Sequence, residues 1–281
     1  MRYFTIVYLL GMVHCFAFAQ SDSLYTVFEP GIISREGIKE GSPSVTADGN
    51  TFVFVRYQSY GDKVPYQATR KGSSWEVERL NFVDTLYNLA IAPDGKRIVY
   101  KTRNFEGGDE RISRAFYVDR QPGGSWGEPV ALQGEILGQA GYFRIAKDGT
   151  LYMFAFADSG KGIYYSEPDG KGGYEPAEWV SDAISPYGAV CYGAVVNDDE
   201  TKMIVNHAGL RTDEAKQRFG PKGLHYHEKH GEVWDYGKRM KGLPYSWYST
   251  VIPDGRLVFN YDGNLYVTPL SDLGISWNGA D

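Results

Sequence analysis

The stretch "LAIAPDGKRIVYKT", residues 89–102, holds a short apolar run, an Asp-Gly pair and a second apolar run. Asp-Gly between such runs predicts a β-hairpin with Asp94 and Gly95 at the centre of a tight turn, because both residues tolerate positive φ. Four further stretches share the layout: "SVTADGNTFVFVR" (44–56), "FRIAKDGTLYMFAF" (143–156), "AVVNDDETKMIVNH" (194–207) and "TVIPDGRLVFNY" (250–261). The fourth carries Asp199-Glu200 in place of Asp-Gly and so departs from the hairpin signal of the other four. The anchor aspartates Asp48, Asp94, Asp148, Asp199 and Asp254 are separated by 46, 54, 51 and 55 residues. A period near 50 with about four strands per unit predicts a β-propeller.

The second half of each unit also recurs. "PYQATRKGSSW" ends at Trp75, "FYVDRQPGGSW" at Trp126 and "LHYHEKHGEVW" at Trp234, while "IYYSEPDGKGGY" ends at Tyr174. Each reads as a third strand, a glycine-containing turn and an aromatic residue that opens a fourth strand. The last copy, "LYVTPLSDLGISW", is looser, and "SWNGAD" supplies no good outer strand. The stretch "LYTVFEPGII" near the N-terminus resembles the outer strands of other units. Residues 24–33 are therefore expected to complete the last blade and close the ring, which removes an exposed sheet edge. The fold class is thus all-β: a single five-bladed propeller of four-stranded antiparallel blades. The alternative, six blades, needs a further copy of the hairpin that the sequence does not offer.

"APDGKRIVY" and "GGSWGEPVAL", with the lead-in "FEPGIISREGIKEGSPSVTADG", resemble the TolB-type, WD40-like propeller repeat of secreted bacterial proteins. The resemblance covers most of the chain after residue 24. It implies a propeller outside the inner membrane, and one reading it carries is a scaffold in a cell-envelope complex. It is nearly silent on function, because propellers host binding modules, scaffolds and enzymes alike.

The first 19 residues read as a signal peptide: Arg2, an apolar run, then the small-x-small pattern Ala17-Phe18-Ala19. Cleavage after Ala19 leaves residues 20–281 as the propeller domain, periplasmic or secreted, with no membrane span. It also leaves Cys191 as the one cysteine, expected in the core. Net charge is −6 and no basic block is present, so a nucleic-acid partner is not expected. No cofactor motif appears, and a monomer is expected.

Four of the five histidines fall between His207 and His230. In the repeat, His225 occupies the place of Tyr66, Tyr117, Tyr164 and Tyr266, so the cluster reads as third-strand packing and no metal is assigned to it. The long connections after each second strand, such as "RYQSYGDKV" and "NHAGLRTDEAKQRFGPKG", share one face of the ring, where ligand sites tend to live. Arg56, Arg103, Tyr87, Tyr142, Tyr192 and Trp247 are the candidate ligand-binding residues there. The tyrosines and Trp247 sit where the chain leads into each inner strand. The leading expectation is a non-catalytic module binding a glycan or an envelope protein. The alternative is a lyase or hydrolase acting on an acidic glycan, with His207 as acid–base group and Tyr248 and Arg211 as its partners.

Overall fold

The computed structural model describes residues 23–59, 61–104, 112–157, 160–186, 189–210, 212–213, 216–217 and 220–278. The signal peptide expected over residues 1–19, with cleavage after Ala19, falls outside the described residues. Five antiparallel sheets form a five-bladed propeller. Blade 1 runs through Lys39–Val45, Thr51–Tyr57, Val64–Lys71 and Ser74–Arg79. Blade 2 uses Asn88–Ile91, Arg97–Asn104, Ile112–Asp119 and Val130–Ala131. Blade 3 uses Gly141–Ile145, Leu151–Ala157, Gly160–Ser166 and Glu178–Trp179. Blade 4 uses Ala189–Val196, Lys202–Leu210 and Gly223–His230, edged by Val233–Trp234 and Lys238–Arg239. Blade 5 uses Ser249–Val251, Arg256–Tyr261 and Asn264–Pro269.

The fourth strand of blade 5 comes from the N-terminus. Thr26 pairs with Val267 and Val27 with Tyr266, and the Phe28 N–H continues the ladder to Leu265 O at 2.8 Å. Phe28 is buried and packs on Phe52 of blade 1 at 5.2 Å between ring centroids. The closing strand therefore also fills the seam between blades 5 and 1.

Both faces of each blade are covered by neighbouring blades, so the second strands read as near-continuous apolar runs rather than alternating ones. "TFVFV" is an example: Phe52 and Phe54 face blade 5, while Val53 and Val55 face blade 2. Among the described residues the core divides into five clusters, one at each seam.

The hairpin turns differ from the expected form. The anchor aspartates are not the residues at positive φ; the next residue is, with Gly49, Gly95, Gly149 and Gly255 between 69° and 99° and Glu200 at 56°. Each aspartate carboxylate instead accepts the backbone N–H two residues on, at 2.8–3.2 Å. This Asx arrangement fixes a longer loop than a two-residue primed turn. It explains why the fourth copy turns normally without glycine. The fourth strands are also shorter than the repeats suggested. Trp75 and Trp234 lie in theirs, whereas Trp126 and Tyr174 make isolated bridges just before. In blade 2 the residue equivalent to Tyr66, Tyr164, His225 and Tyr266 is Phe116, opposite Tyr100, rather than Tyr117.

Arg56, a candidate ligand-binding residue of the sequence, is engaged in the closing seam. It is buried, lies over the rings of Phe54 and Tyr66, and donates to Ile32 O at 2.6 Å and Ile33 O at 3.1 Å. Glu40, fully buried, accepts the Arg35 N–H and stands 3.8 Å from the Arg56 guanidinium. Burial outweighs these stabilising contacts and pushes the Glu40 carboxyl up to about 7.

Two outcomes follow from this seam. Phe28→Ala should lower stability by about 3–5 kcal/mol, read from denaturant unfolding, because it empties the seam on which closure depends. Neutral Glu40 favours the fold below its unfolded value of 4.5, and that advantage is lost as pH rises through about 7. Glu40→Gln should therefore gain thermal stability over the parent at pH 8 and show much less gain at pH 5.

Candidate functional site: an aromatic platform across the channel mouth

The blades can be aligned on the inner-strand residues paired next to each hairpin turn: Val45, Ile91, Ile145, Val196 and Val251. Three positions earlier lie Ser42, Asn88, Tyr142, Gly193 and Tyr248; four earlier lie Gly41, Tyr87, Gly141, Tyr192 and Trp247. The inner strands of blades 1, 3 and 4 slip register at this point. Ser42, Tyr142 and Gly193 there take φ of 51°, 56° and 67°. A bulge re-aims a side chain. At Tyr142 it turns a bulky ring inwards, in a backbone region costing about 1–3 kcal/mol for such a residue. The Asn88 Oδ1 accepts the Tyr142 N–H at 3.0 Å and holds the turn.

Tyr142 stacks on Tyr192 of blade 4 at 4.7 Å and on Tyr248, in the lead to blade 5, at 4.9 Å. Its hydroxyl meets that of Tyr87, before blade 2, at 3.2 Å. Blades 3 and 5 are not neighbours, so Tyr142 lies across the ring axis and closes the channel mouth. Tyr192 stacks in turn on Trp247 at 5.4 Å with planes 11° apart, and its hydroxyl hydrogen-bonds that of Tyr245. Phe154 meets both Tyr142 and Tyr192 edge-on and carries Phe156 at 4.9 Å.

Three lysines join this sheet of rings. Lys63 is buried, with its Nζ 4.3 Å from the Tyr87 ring centre, donating to Tyr87 O at 3.2 Å and to the Tyr248 hydroxyl at 3.5 Å. Lys222 lies over Tyr245 at 4.9 Å and Lys161 beside Phe156 at 5.0 Å. The outer surface of the cluster is open: Trp247 is 39% exposed and Phe156 51%. Burial pushes the phenols of Tyr142 and Tyr192 well above the ordinary tyrosine range. They act as protonated stacking and hydrogen-bonding groups.

The structure thus brings together Tyr87, Tyr142, Tyr192, Trp247 and Tyr248 from the sequence reading. Arg103 lies on the second strand of blade 2, with its side chain outside the described part, and Arg211 lies outside the described residues. Lys63, Tyr245, Phe154 and Phe156 escaped the sequence reading. The two phenylalanines sit in a strand, "LYMFAFA", whose apolar run looks like core throughout.

His207 follows the strand partner of Tyr192, so its backbone lies level with the platform, while its side chain turns into a seam. It is fully buried on the blade 4 face turned towards blade 3, together with Cys191, Met203 and Val205. His207 follows Asn206, which takes the opposite strand face, and Tyr248 lies in the stack around Tyr142. His225 and His227 share the face of His207, with ring centroids 4.2 Å and 5.6 Å from it. Their Nδ1 atoms meet Gly223 O at 3.0 Å and Asp235 O at 3.1 Å. Among the described residues no group of three His, Cys, Asp or Glu side chains could hold a metal ion. Burial pushes His227 down to about 4 and His207 well below its usual value.

No family model matches the chain, and no curated protein sequence does. Solved structures match its fold. TolB from Acinetobacter baumannii matches at a TM-score of 0.50 and 13% identity, over 82% of this chain and 54% of that one. The α-L-arabinofuranosidase from Lactobacillus brevis matches at 0.55 and 13% identity, over 83% and 90%. The shared property is the propeller fold. At this identity the likeness extends to the fold alone, and the chain spans about half the length of the TolB chain it matches.

The buried imidazoles set a pH dependence opposite to that of Glu40. Their neutral forms favour the fold above the unfolded value of 6.5, and this contribution is lost as pH falls towards about 4. His227→Gln should flatten the fall in melting temperature between pH 6.5 and 4, compared with the parent chain.

Proposed function

We propose that the protein is a non-catalytic binding module that takes a glycan on the aromatic platform at the long-loop face. The observation that carries this reading is Trp247, stacked on Tyr192 and yet 39% exposed. Its ring is held rigidly from behind and offers a free surface for stacking. A rigid aromatic surface loses little conformational entropy on binding. Phe156 extends the surface, and Lys161 and Lys222 place positive charge beside it. That combination favours a sugar bearing carboxylate or sulfate. The burial of His207 weighs against the lyase or hydrolase reading built on it.

A periplasmic or secreted location is consistent with the N-terminal signal pattern, and no helix among the described residues is long and apolar enough to cross a membrane. The resemblance of the repeat to TolB-type propellers keeps an envelope scaffold as the competing reading.

Calorimetric titration with neutral, uronic and sulfated oligosaccharides tests the proposal. Binding without new reducing ends or unsaturated products is expected. Trp247→Ala should weaken it at least about tenfold, a loss within the range of a single aromatic anchor, with the fold intact by circular dichroism. Unchanged affinity in that variant would remove the platform from consideration. Silence across the whole panel would turn attention to a protein partner.

A further inference from the structure

The opposite end of the central channel holds a second polar feature. A cavity of about 70 Å³ opens on the hairpin face, lined in part by Thr46, Pro93, Arg144, Asn197, Val251 and Trp277. Arg144 stands on the innermost strand of blade 3, and its Nη1 donates to the Thr250 hydroxyl of blade 5 at 3.1 Å. Because those blades are not neighbours, the guanidinium crosses the ring axis below the tyrosine stack. Its Nε is buried without a hydrogen-bond acceptor. Among the described residues no carboxylate stands within ion-pair distance of it. Asp198, the acid whose charge acts on it, is held by Lys147 at 3.0 Å. Asp198 is thus shared between Lys147 and Arg144 and offsets the Arg144 charge only in part.

Loss of solvation pushes Arg144 down to about 10, which still leaves it charged at neutral pH. Arg144 is half-buried with its Nε–H unmet, and a carboxylate facing the guanidinium edge would satisfy that N–H and add to the partial compensation from Asp198. The cavity volume limits what can enter. The cavity is small, which favours a compact occupant such as a single carboxylate group.

We propose that Arg144 anchors a site for a single small carboxylate in the central channel, entered from the hairpin face and separate from the aromatic platform. All five blades contribute to its lining, and its occupant would stand beside the Arg144–Thr250 hydrogen bond that joins blades 3 and 5. Binding to the folded ring alone raises its stability in proportion to ligand concentration.

The test is thermal unfolding of the mature chain in sodium acetate, with ionic strength and pH held constant by the bulky sulfonate buffer HEPES. A saturable rise in melting temperature is expected. It should vanish in Arg144→Met, which keeps the bulk without the charge, and persist in Arg144→Lys at about tenfold weaker affinity, since lysine lacks the planar fork. An acidic tripeptide in place of acetate separates the two sources: a response to acetate alone points to a free ion, and a response to both points to a partner's side chain. A melting temperature indifferent to acetate, or an equal rise in Arg144→Met, would overturn the proposal. Should Arg144→Met fail to fold, crystals of the parent chain grown in bromide give the same decision. An anomalous peak against the guanidinium supports the site, and a channel without one rejects it.

Discussion

The structure depends on mutual covering of the blades. Each sheet is apolar on both faces and cannot be stable with either face in water, so every blade needs two neighbours. A chain of five such units satisfies that need only by closing on itself. The closing element is small: two paired residues, Thr26 and Val27, followed by Phe28 in the seam to blade 1. Its effect is larger than its hydrogen bonds, because it joins the first and last blades and covers the edge of the last sheet. Arg56 and Glu40 stiffen the same seam by hydrogen-bonding the backbone between the closing strand and blade 1.

Closure then defines a channel, and the two ends of that channel are chemically unlike. At the long-loop end the inner-strand bulges turn aromatic rings over the axis, and Tyr142 seals it between Tyr192 and Tyr248. The strain of its backbone is tolerated because Asn88 and three neighbouring rings hold it in place. At the hairpin end the axis is crossed by a charged arginine. A mouth filled by stacked rings presents a surface rather than an enclosed chamber.

The buried titratable groups sort by the same logic. Glu40 in the 5–1 seam and the histidines in the 3–4 seam are each held near neutrality by loss of water, with opposite consequences for stability as pH changes. Cys191, in the histidine seam, has its thiol pushed up to about 12 and behaves as a small apolar residue. Histidines in this position therefore report packing, as the repeat had implied for His225.

The sequence by itself determined the blade count, the hairpins and the closing strand, because strand period, anchor aspartates and turn glycines are local signals that need no knowledge of neighbours. It also marked Tyr87, Tyr142, Tyr192, Trp247 and Tyr248, since all fall six or seven residues before an anchor. It did not reveal which way His207 points, because one step along a strand exchanges the two seams. Nor did it show Arg56 turned into the closing seam, Lys63 buried under tyrosines, or Arg144 crossing the axis. Those outcomes depend on distances between blades far apart in sequence, and only ring closure brings such residues within reach of one another.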